Sequence, residues 1–327
     1  MYAIQAGKAG GPDVLEYLEL PDPVPGPGEV LVRVAAAGVN FIDTYQRGGV
    51  YPMPFPHVPG SEGAGEIVAL GEGVDGLAVG QLVAWCDGPG SYAELVRVPA
   101  ARVLPVPEGI GADVAAALPL QGMTAHYLAV STYPVQPGDS VLVHAGAGGV
   151  GLLLTQLATA RGARVITTVS TEAKAELSRA AGATTVIRYD TLGDLAADLP
   201  PLVREASDGG VAAAFDGVGR STFEASLASL RRRGMLVLFG GASGQVPPFD
   251  LQRLNAGGSL YATRPKLGDY IVTTEELRWR AGELVAMVAA GALTVRIGQR
   301  FALADAADAH RALEGRATTG KVLLDIA

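Results

Sequence analysis

Three glycines at fixed spacing carry the first chemistry legible in this chain. An apolar, β-branched run, Val141-Leu142-Val143, leads through His144 and Ala145 into Gly146-x-Gly148-x-x-Gly151. Leu152 to Arg161 then reads as a helix closed by Gly162, and Ala163 to Val169 as a second apolar strand. In that order the three glycines have separate jobs. Gly146 permits a tight turn, Gly148 lets the backbone approach a pyrophosphate, and Gly151 lets helix and strand pack closely. The helix N-terminus that follows leaves N–H groups unpaired, which suits an anion. A glycine-rich connector is the competing reading in a chain with 44 glycines. The strand before the motif and the helix and strand after it favour a dinucleotide site.

The tip of the second strand bears on which dinucleotide. A site for NAD places Asp or Glu about 20 residues beyond the glycines, to bond the ribose 2′-hydroxyl. Here the strand ends Thr167-Thr168-Val169-Ser170-Thr171, with Lys174 one turn into the next helix. No carboxylate at the tip repels a 2′-phosphate. Ser170 and Thr171 can donate hydrogen bonds, and Lys174 is a point charge. These residues favour NADPH over NADH. Two competing readings stand beside this one: Glu172 in the helix's first turn, where acidic residues suit the macrodipole, and Lys174 as a solvated helix residue.

The elements that must hold these residues change texture along the chain. The first third alternates as strands: Glu29–Val34, Glu66–Leu70, Gly80–Trp85 and Tyr92–Val98, separated by Gly-, Pro- and Asp-rich turns. A small barrel or sandwich is expected there. From about Gln121, strands alternate with helices, the pattern of a parallel doubly wound sheet. Its six strands are Val141–His144, Arg164–Val169, Thr185–Ile187, Ala212–Phe215, Met235–Phe239 and Ser259–Ala262. Two mononucleotide-binding halves require that number. After Arg264-Pro265 come a helix near Thr274–Ala290, a strand near Arg296–Phe301, a helix near Ala304–Glu314 and a last strand, Lys321–Ile326. A complete six-stranded sheet has no place for the last two strands, so they are expected to return to the first domain.

Composition narrows the function classes. The chain of 327 residues has room for two domains and a substantial core. A net charge of −8 offers no basic stripe for nucleic acid. The single cysteine, Cys86, rules out an intrachain disulfide, fits a reducing compartment and reads as the end of a buried strand. No long uncharged apolar run or signal-peptide pattern is present, so a cytoplasmic protein without a membrane partner is expected. The four histidines, His57, His126, His144 and His310, are scattered. None pairs with a Cys or a second His at metal spacing, and each reads as structural.

Taken together, the motifs resemble the zinc-free quinone oxidoreductases of the medium-chain dehydrogenase/reductase superfamily, the zeta-crystallin-like family, and most of all its bacterial NADPH:quinone oxidoreductases. The resemblance runs over essentially the whole chain. It rests on Gly10-Gly11-Pro12, Gly38-Val39-Asn40-Phe41-Ile42-Asp43-Thr44-Tyr45, Pro59-Gly60-Ser61-Glu62-Gly63-Ala64-Gly65 and the glycine turn. It continues in Asp216-Gly217-Val218-Gly219-Arg220, Phe239-Gly240, Thr263-Arg264-Pro265 and Arg316-Ala317-Thr318-Thr319-Gly320-Lys321. It implies an α/β protein: a GroES-like β-barrel domain over residues 1–120, completed by 265–327, and a Rossmann NADPH-binding domain over 121–264 with a six-stranded parallel sheet. It also implies a homodimer. The superfamily's alcohol dehydrogenases hold zinc with a Cys where this chain has Asn40 and a His where it has Ser61. A catalytic zinc needs about three strong ligands, so no metal is expected.

The resemblance implies that NADPH reduces a quinone, or another small electrophilic acceptor, in a cleft between the domains, with Asn40, Asp43 and Tyr45 at its nicotinamide end. Asn40 could bond a ribose hydroxyl or the acceptor oxygen, and Tyr45 could donate a proton or hydrogen bond. Asp43 is open to a second reading, as a turn residue that only holds the loop. Phe41 and Tyr51 either line an apolar slot or pack in the core. The implied cofactor residues are Asn40, Thr124, Gly146, Gly148, Gly149, Val150, Gly151, Ser170, Thr171, Lys174, Tyr189, Gly217, Phe239, Gly240, Arg264 and Arg316. Tyr189 could stack on adenine, reach the 2′-phosphate or be an exposed loop residue. Gly217 stands where some relatives have Ser. Two further functions compete: reduction of enones or 2-alkenals at the same site, and a non-enzymatic structural or RNA-binding role. The only basic cluster, Arg231-Arg232-Arg233, is expected to follow a helix C-terminus with Gly234 as its stop, which argues against nucleic acid.

Overall fold

Alternating and continuous apolar runs become strands where expected, and the computed structural model describes residues 1–88 and 90–326. In chain order the elements are β1 (Tyr2–Ala6), β2 (Leu15–Glu19), β3 (Glu29–Val39), α1 (Phe41–Arg47), β4 (Glu62–Leu70), β5 (Leu82–Cys86), β6 (Leu95–Pro99), β7 (Leu104–Pro105), α2 (Ala112–Ala117) and α3 (Pro119–Tyr127). There follow β8 (Ser140–Val143), α4 (Gly149–Ala160), β9 (Arg164–Val169), α5 (Glu172–Ala180), β10 (Thr185–Arg188), α6 (Leu195–Ala206), β11 (Val211–Asp216), α7 (Phe223–Ala228), β12 (Leu230–Leu238), α8 (Gln252–Ala256) and β13 (Tyr261–Thr263). The last elements are α9 (Thr274–Ala289), β14 (Ile297–Ala302), α10 (Ala306–Glu314) and β15 (Lys321–Asp325).

Two compact units result, residues 1–123 with those from 271 onward, and residues 124–270. The first unit is built on a seven-stranded sheet in the order β14-β15-β3-β4-β5-β7, with β6 also paired to β3. The strands near the C-terminus return here, as the surplus beyond six requires. β15 runs antiparallel to β3, with Val322 opposite Val39 and Leu323 opposite Gly38. Ile4, Val32, Ile67, Trp85, Tyr92 and Val322 are among the residues of its closed core. The second unit holds six parallel strands in the order β10-β9-β8-β11-β12-β13. This is the doubly wound order whose first strand lies at the centre, and it puts the β8–α4 turn at the switch point where dinucleotides bind.

One element differs from expectation. α7 ends at Ala228 with Ser229 as its C-cap, so Arg231-Arg232-Arg233 does follow a helix, but it lies within β12, and Gly234 continues the strand and is not the helix stop. Arg233 takes a φ of +57°, and the Arg231 guanidinium reaches Asp139 at 3.2 Å.

Candidate functional site

In the second unit, β8 stops at Val143 and α4 starts at Gly149, with Gly148 as its N-cap. No side chain caps this helix. Its first N–H groups can therefore serve an anion. The strain of the turn falls on Ala145, at φ +54°, and not on Gly146. Gly146 is glycine for a different reason: a Cβ there would lie 2.6 Å from the Thr167 Cβ on β9. Gly151 is needed as expected, since its Cβ would come within 2.2 Å of the Ala145 carbonyl oxygen. Gly149 and Val150 form the helix's first turn and are partly exposed.

Beside this turn, β9 and β10 end in register, Val169 opposite Arg188. Ser170 and Thr171 follow the end of β9, and Tyr189 follows the end of the adjacent β10. Thr171 is the N-cap of α5, its hydroxyl accepting from the Lys174 backbone N–H at 3.3 Å. The Glu172 carboxylate is taken up by Arg179 at 2.7 Å and Arg188 at 3.4 Å. Those guanidiniums hold it below the usual carboxylate range. Arg188 also pairs with Asp190 at 2.7 Å. Glu172 and Asp190 are thus held by Arg179 and Arg188, and Lys174 stands in the first turn of α5 beside them. Sequence reading missed Arg188, whose signal was its place at the end of the third strand.

A buried polar network backs the turn. The Ser226 hydroxyl donates to Asp216 Oδ2 at 2.7 Å, so it accepts from His144 Nε2–H at 2.9 Å. His144 Nδ1 then accepts from the Thr168 hydroxyl at 2.8 Å. Burial lowers the His144 pKa and keeps the ring neutral. Although Ser, His and Asp meet here, all are enclosed and satisfied, and they tie β8, β9 and β11 together. Next to it, Gly217, Phe239 and Gly240 converge: the Phe239 N–H donates to the Asp216 carbonyl at 2.9 Å. A Cβ on Gly217 would lie 2.8 Å from the Phe239 ring, so glycine here makes room for that aromatic. Thr124 is buried in α3, and the exposed Arg264 donates to the Leu238 carbonyl at 3.2 Å.

In the first unit, Asn40 is the N-cap of α1, and Asp43 closes a capping box by accepting from the Asn40 N–H at 2.8 Å. Asp43 is fully enclosed. It also accepts from Ser61 Oγ at 2.7 Å and from the Tyr92 hydroxyl at 3.1 Å. Burial lifts its carboxyl to about 6, against the pull of those donors and of the Lys321 ammonium. This enclosure favours the reading of Asp43 as a residue that holds the turn. The network continues to His310. Arg47 can only donate, so His310 Nδ1 accepts from it at 2.9 Å. His310 Nε2–H then donates to Tyr92 Oη at 3.1 Å.

Asn40 is likewise enclosed. It is 3% exposed, and its amide is fully used inside the protein. Nδ2 donates to Glu62 Oε1 at 2.7 Å and to the Gly38 carbonyl at 3.4 Å. Oδ1 accepts from Lys321 Nζ at 2.9 Å and Gln121 Nε2 at 3.1 Å. Both of its polar atoms thus have partners within the protein. Lys321 and Glu62 form a fully buried ion pair, and Glu62 Oε2 also accepts from the Leu120 N–H at 2.7 Å. Sequence reading quoted both residues but did not pair them, for they stand 259 positions apart. Two of the partly buried residues of α1, Phe41 and Tyr45, are aromatic. Tyr45 packs edge-on to Tyr51 at 5.7 Å and tilted to Phe41 at 6.1 Å. Phe41 also packs on the core, and Tyr51 is more exposed. Arg316, just after α10, is exposed in the left-handed region at φ +58°.

Comparison with known proteins agrees with this architecture. Residues 26–108 match the alcohol dehydrogenase GroES-like domain, and residues 149–275 match the zinc-binding dehydrogenase domain. The chain is 45% identical over 324 residues to a quinone oxidoreductase of Pseudomonas aeruginosa, covering 98% of each. It is 40% identical over 327 residues to a 2-haloacrylate reductase of Burkholderia, covering 97% of this chain and 96% of the other. Among solved structures, a mycobacterial protein complexed with NADPH is 52% identical, with a TM-score of 0.96 over 99% of this chain and 100% of that one. The Escherichia coli quinone oxidoreductase complexed with NADPH is 41% identical, also with a TM-score of 0.96 and the same coverage.

Proposed function

The chain belongs to the quinone oxidoreductase family, and we propose that it transfers reducing equivalents from NADPH to a quinone. The observation that carries this reading is the α4 N-terminus without a side-chain cap, beside a strand tip whose Glu172 carboxylate is held by two arginines, in a chain aligned along its length with quinone oxidoreductases. In this reading, Gly148 to Gly151 hold the pyrophosphate, and Ser170, Thr171, Lys174 and Tyr189 hold the 2′-phosphate. Thr124, Gly217, Phe239, Gly240, Arg264 and Arg316 line the rest of the cofactor's path.

NADPH supplies the reducing equivalents when bound. Tyr45 donates a hydrogen bond to the acceptor oxygen as negative charge grows on it, and the aromatic group around Tyr45 orients a flat ring. Asp43 and Asn40 act one layer behind, by fixing the start of the helix that bears Tyr45. The unit of residues 1–120 with 265–327 takes the acceptor, and residues 121–264 take the cofactor. Among the described residues no helix is long and apolar enough to cross a membrane, and the lone cysteine is buried, which supports a cytoplasmic enzyme. A homodimer is proposed from the family and from β13, an edge strand carrying the exposed Tyr261.

Likeness to the 2-haloacrylate reductase supports one other reading, reduction of an activated carbon–carbon double bond. Steady-state assays with NADPH against quinones, enones, 2-alkenals and 2-haloacrylate separate the two. A higher kcat/KM for quinones is expected. The reverse order would establish the second reading.

A further inference from the structure

The match of residues 26–108 to the alcohol dehydrogenase GroES-like domain raises the question of a metal in the first unit, and the residues present do not fit one. By family resemblance the ligand positions are Asn40 and Ser61, next to Glu62. An amide and a hydroxyl are poor partners for zinc, which takes thiolate, imidazole and carboxylate. Ser61 Oγ is turned to Asp43, at 2.7 Å. More telling is what faces the carboxylate. The Lys321 ammonium contacts Glu62 Oε1 and stands 2.9 Å from Asn40 Oδ1, all three side chains being 3% exposed or less. The other Glu62 oxygen is held by the Leu120 N–H at 2.7 Å. Glu62 also lies flat against Gly38, where a Cβ would fall 2.5 Å from Oε1, so the carboxylate has little room to swing away.

We infer that Lys321 is a built-in cation that occupies the place a metal would need, neutralising Glu62, fixing the Asn40 amide and excluding divalent ions. Lys321 is thus a positioning residue and a specificity determinant. It joins β15 to the start of α1, to β4 and to the start of α3 through one charge. A buried carboxylate needs a counter-charge, and a lysine supplies it without the open coordination position on which metal-alkoxide chemistry depends. The inference rests on the quinone reductase reading proposed above, taken with the expectation from Asn40 and Ser61 that no catalytic metal is held.

Titration with Co²⁺ of the full-length protein tests it. Asn40→Cys/Ser61→His installs thiolate and imidazole but keeps the ammonium; a third variant adds Lys321→Ala. The triple variant should bind one Co²⁺ per chain, with thiolate-to-cobalt absorption, on the order of 10²-fold or more tighter than the double variant, since a unit charge at contact distance opposes the ion. Equal affinity in the two would overturn the inference. If the triple variant does not fold, a charge-pair cycle in the native background decides. Lys321→Met should lower the unfolding midpoint, and Glu62→Gln/Lys321→Met should recover part of the loss, whereas strictly additive losses overturn the assignment. Stoichiometric zinc in the wild-type protein as isolated would sink the metal-free reading itself. A zinc-free wild type with equal Co²⁺ affinities removes only the role of Lys321.

Discussion

Lys174 and Glu172 stand two positions apart at the tip of β9, and their surroundings separate their roles. The Glu172 carboxylate is engaged by two arginines, so it offers little repulsion to a 2′-phosphate. Lys174→Ala should therefore raise the KM for NADPH by about tenfold, the lower end for a charge-assisted bond, with the KM for NADH nearly unchanged. Equal losses with both cofactors would show that Lys174 does not read the phosphate. Tyr45 is tested the same way. Tyr45→Phe should lower kcat by at most roughly 10²–10³-fold while the KM for NADPH holds, as loss of one donor to a developing oxyanion requires. Full activity in that variant would leave positioning alone as the mechanism. Residue types suggest the phosphate side directly because charge and hydroxyl donors act through their own chemistry. Asn40 and Asp43 stay open to two readings in the sequence because an amide or carboxylate in a turn reads the same whether it faces a ligand or, as here, is enclosed by Tyr92, Lys321 and Gln121 brought from elsewhere in the chain.

Elements were most legible where period and punctuation agree. Arg164–Val169 is the expected strand without change, and the helix expected near Thr274–Ala290 ends one residue earlier. α4 begins three residues before its expected start because the glycines that make the turn are themselves its cap and first turn. Gly151→Ala tests that junction. The added methyl would meet the Ala145 carbonyl at 2.2 Å, so the helix must shift, at a cost of about 1–3 kcal/mol for overpacking. A lower urea midpoint together with weakened NADPH binding is expected; unchanged binding would separate the helix position from the cofactor site. The contact of α10 with the first sheet makes a pH prediction. His310 is buried beside Arg47, and these two causes, burial first, lower its pKa to about 3. A histidine with a depressed folded pKa binds its proton better when unfolded, so its contribution is full above about 6.5 and is lost as pH falls toward 3. His310→Gln should be less stable than the wild type at pH 7.5, with the gap shrinking at pH 4.5 in urea unfolding. A gap that widens in acid would contradict a neutral His310.

For the whole molecule, strand arithmetic was enough to see that six parallel strands close one sheet and that two later strands belong elsewhere. Which strand receives them was not in the sequence, because the pairing of β15 with β3 joins residues nearly the full chain apart. The fate of Arg231-Arg232-Arg233 was hidden for a related reason. A turn followed by three arginines resembles a helix end locally, and only pairing of β12 with β11 and β13 makes it a strand. That same sheet bears on assembly. β13 is three residues long, pairs on one side with β12, and is an edge of the sheet among the described residues. Its Tyr261 is 57% exposed, a large aromatic surface at an edge where strands of a second copy can add. Sedimentation equilibrium should give twice the 33.4 kDa chain mass at micromolar concentration. Tyr261→Asp puts a charge on that edge without touching the buried face, and should move the equilibrium toward monomer while NADPH affinity is kept. A dimer of undiminished stability in this variant would locate the association on another face, and a monomeric wild type would remove assembly from the account of this enzyme.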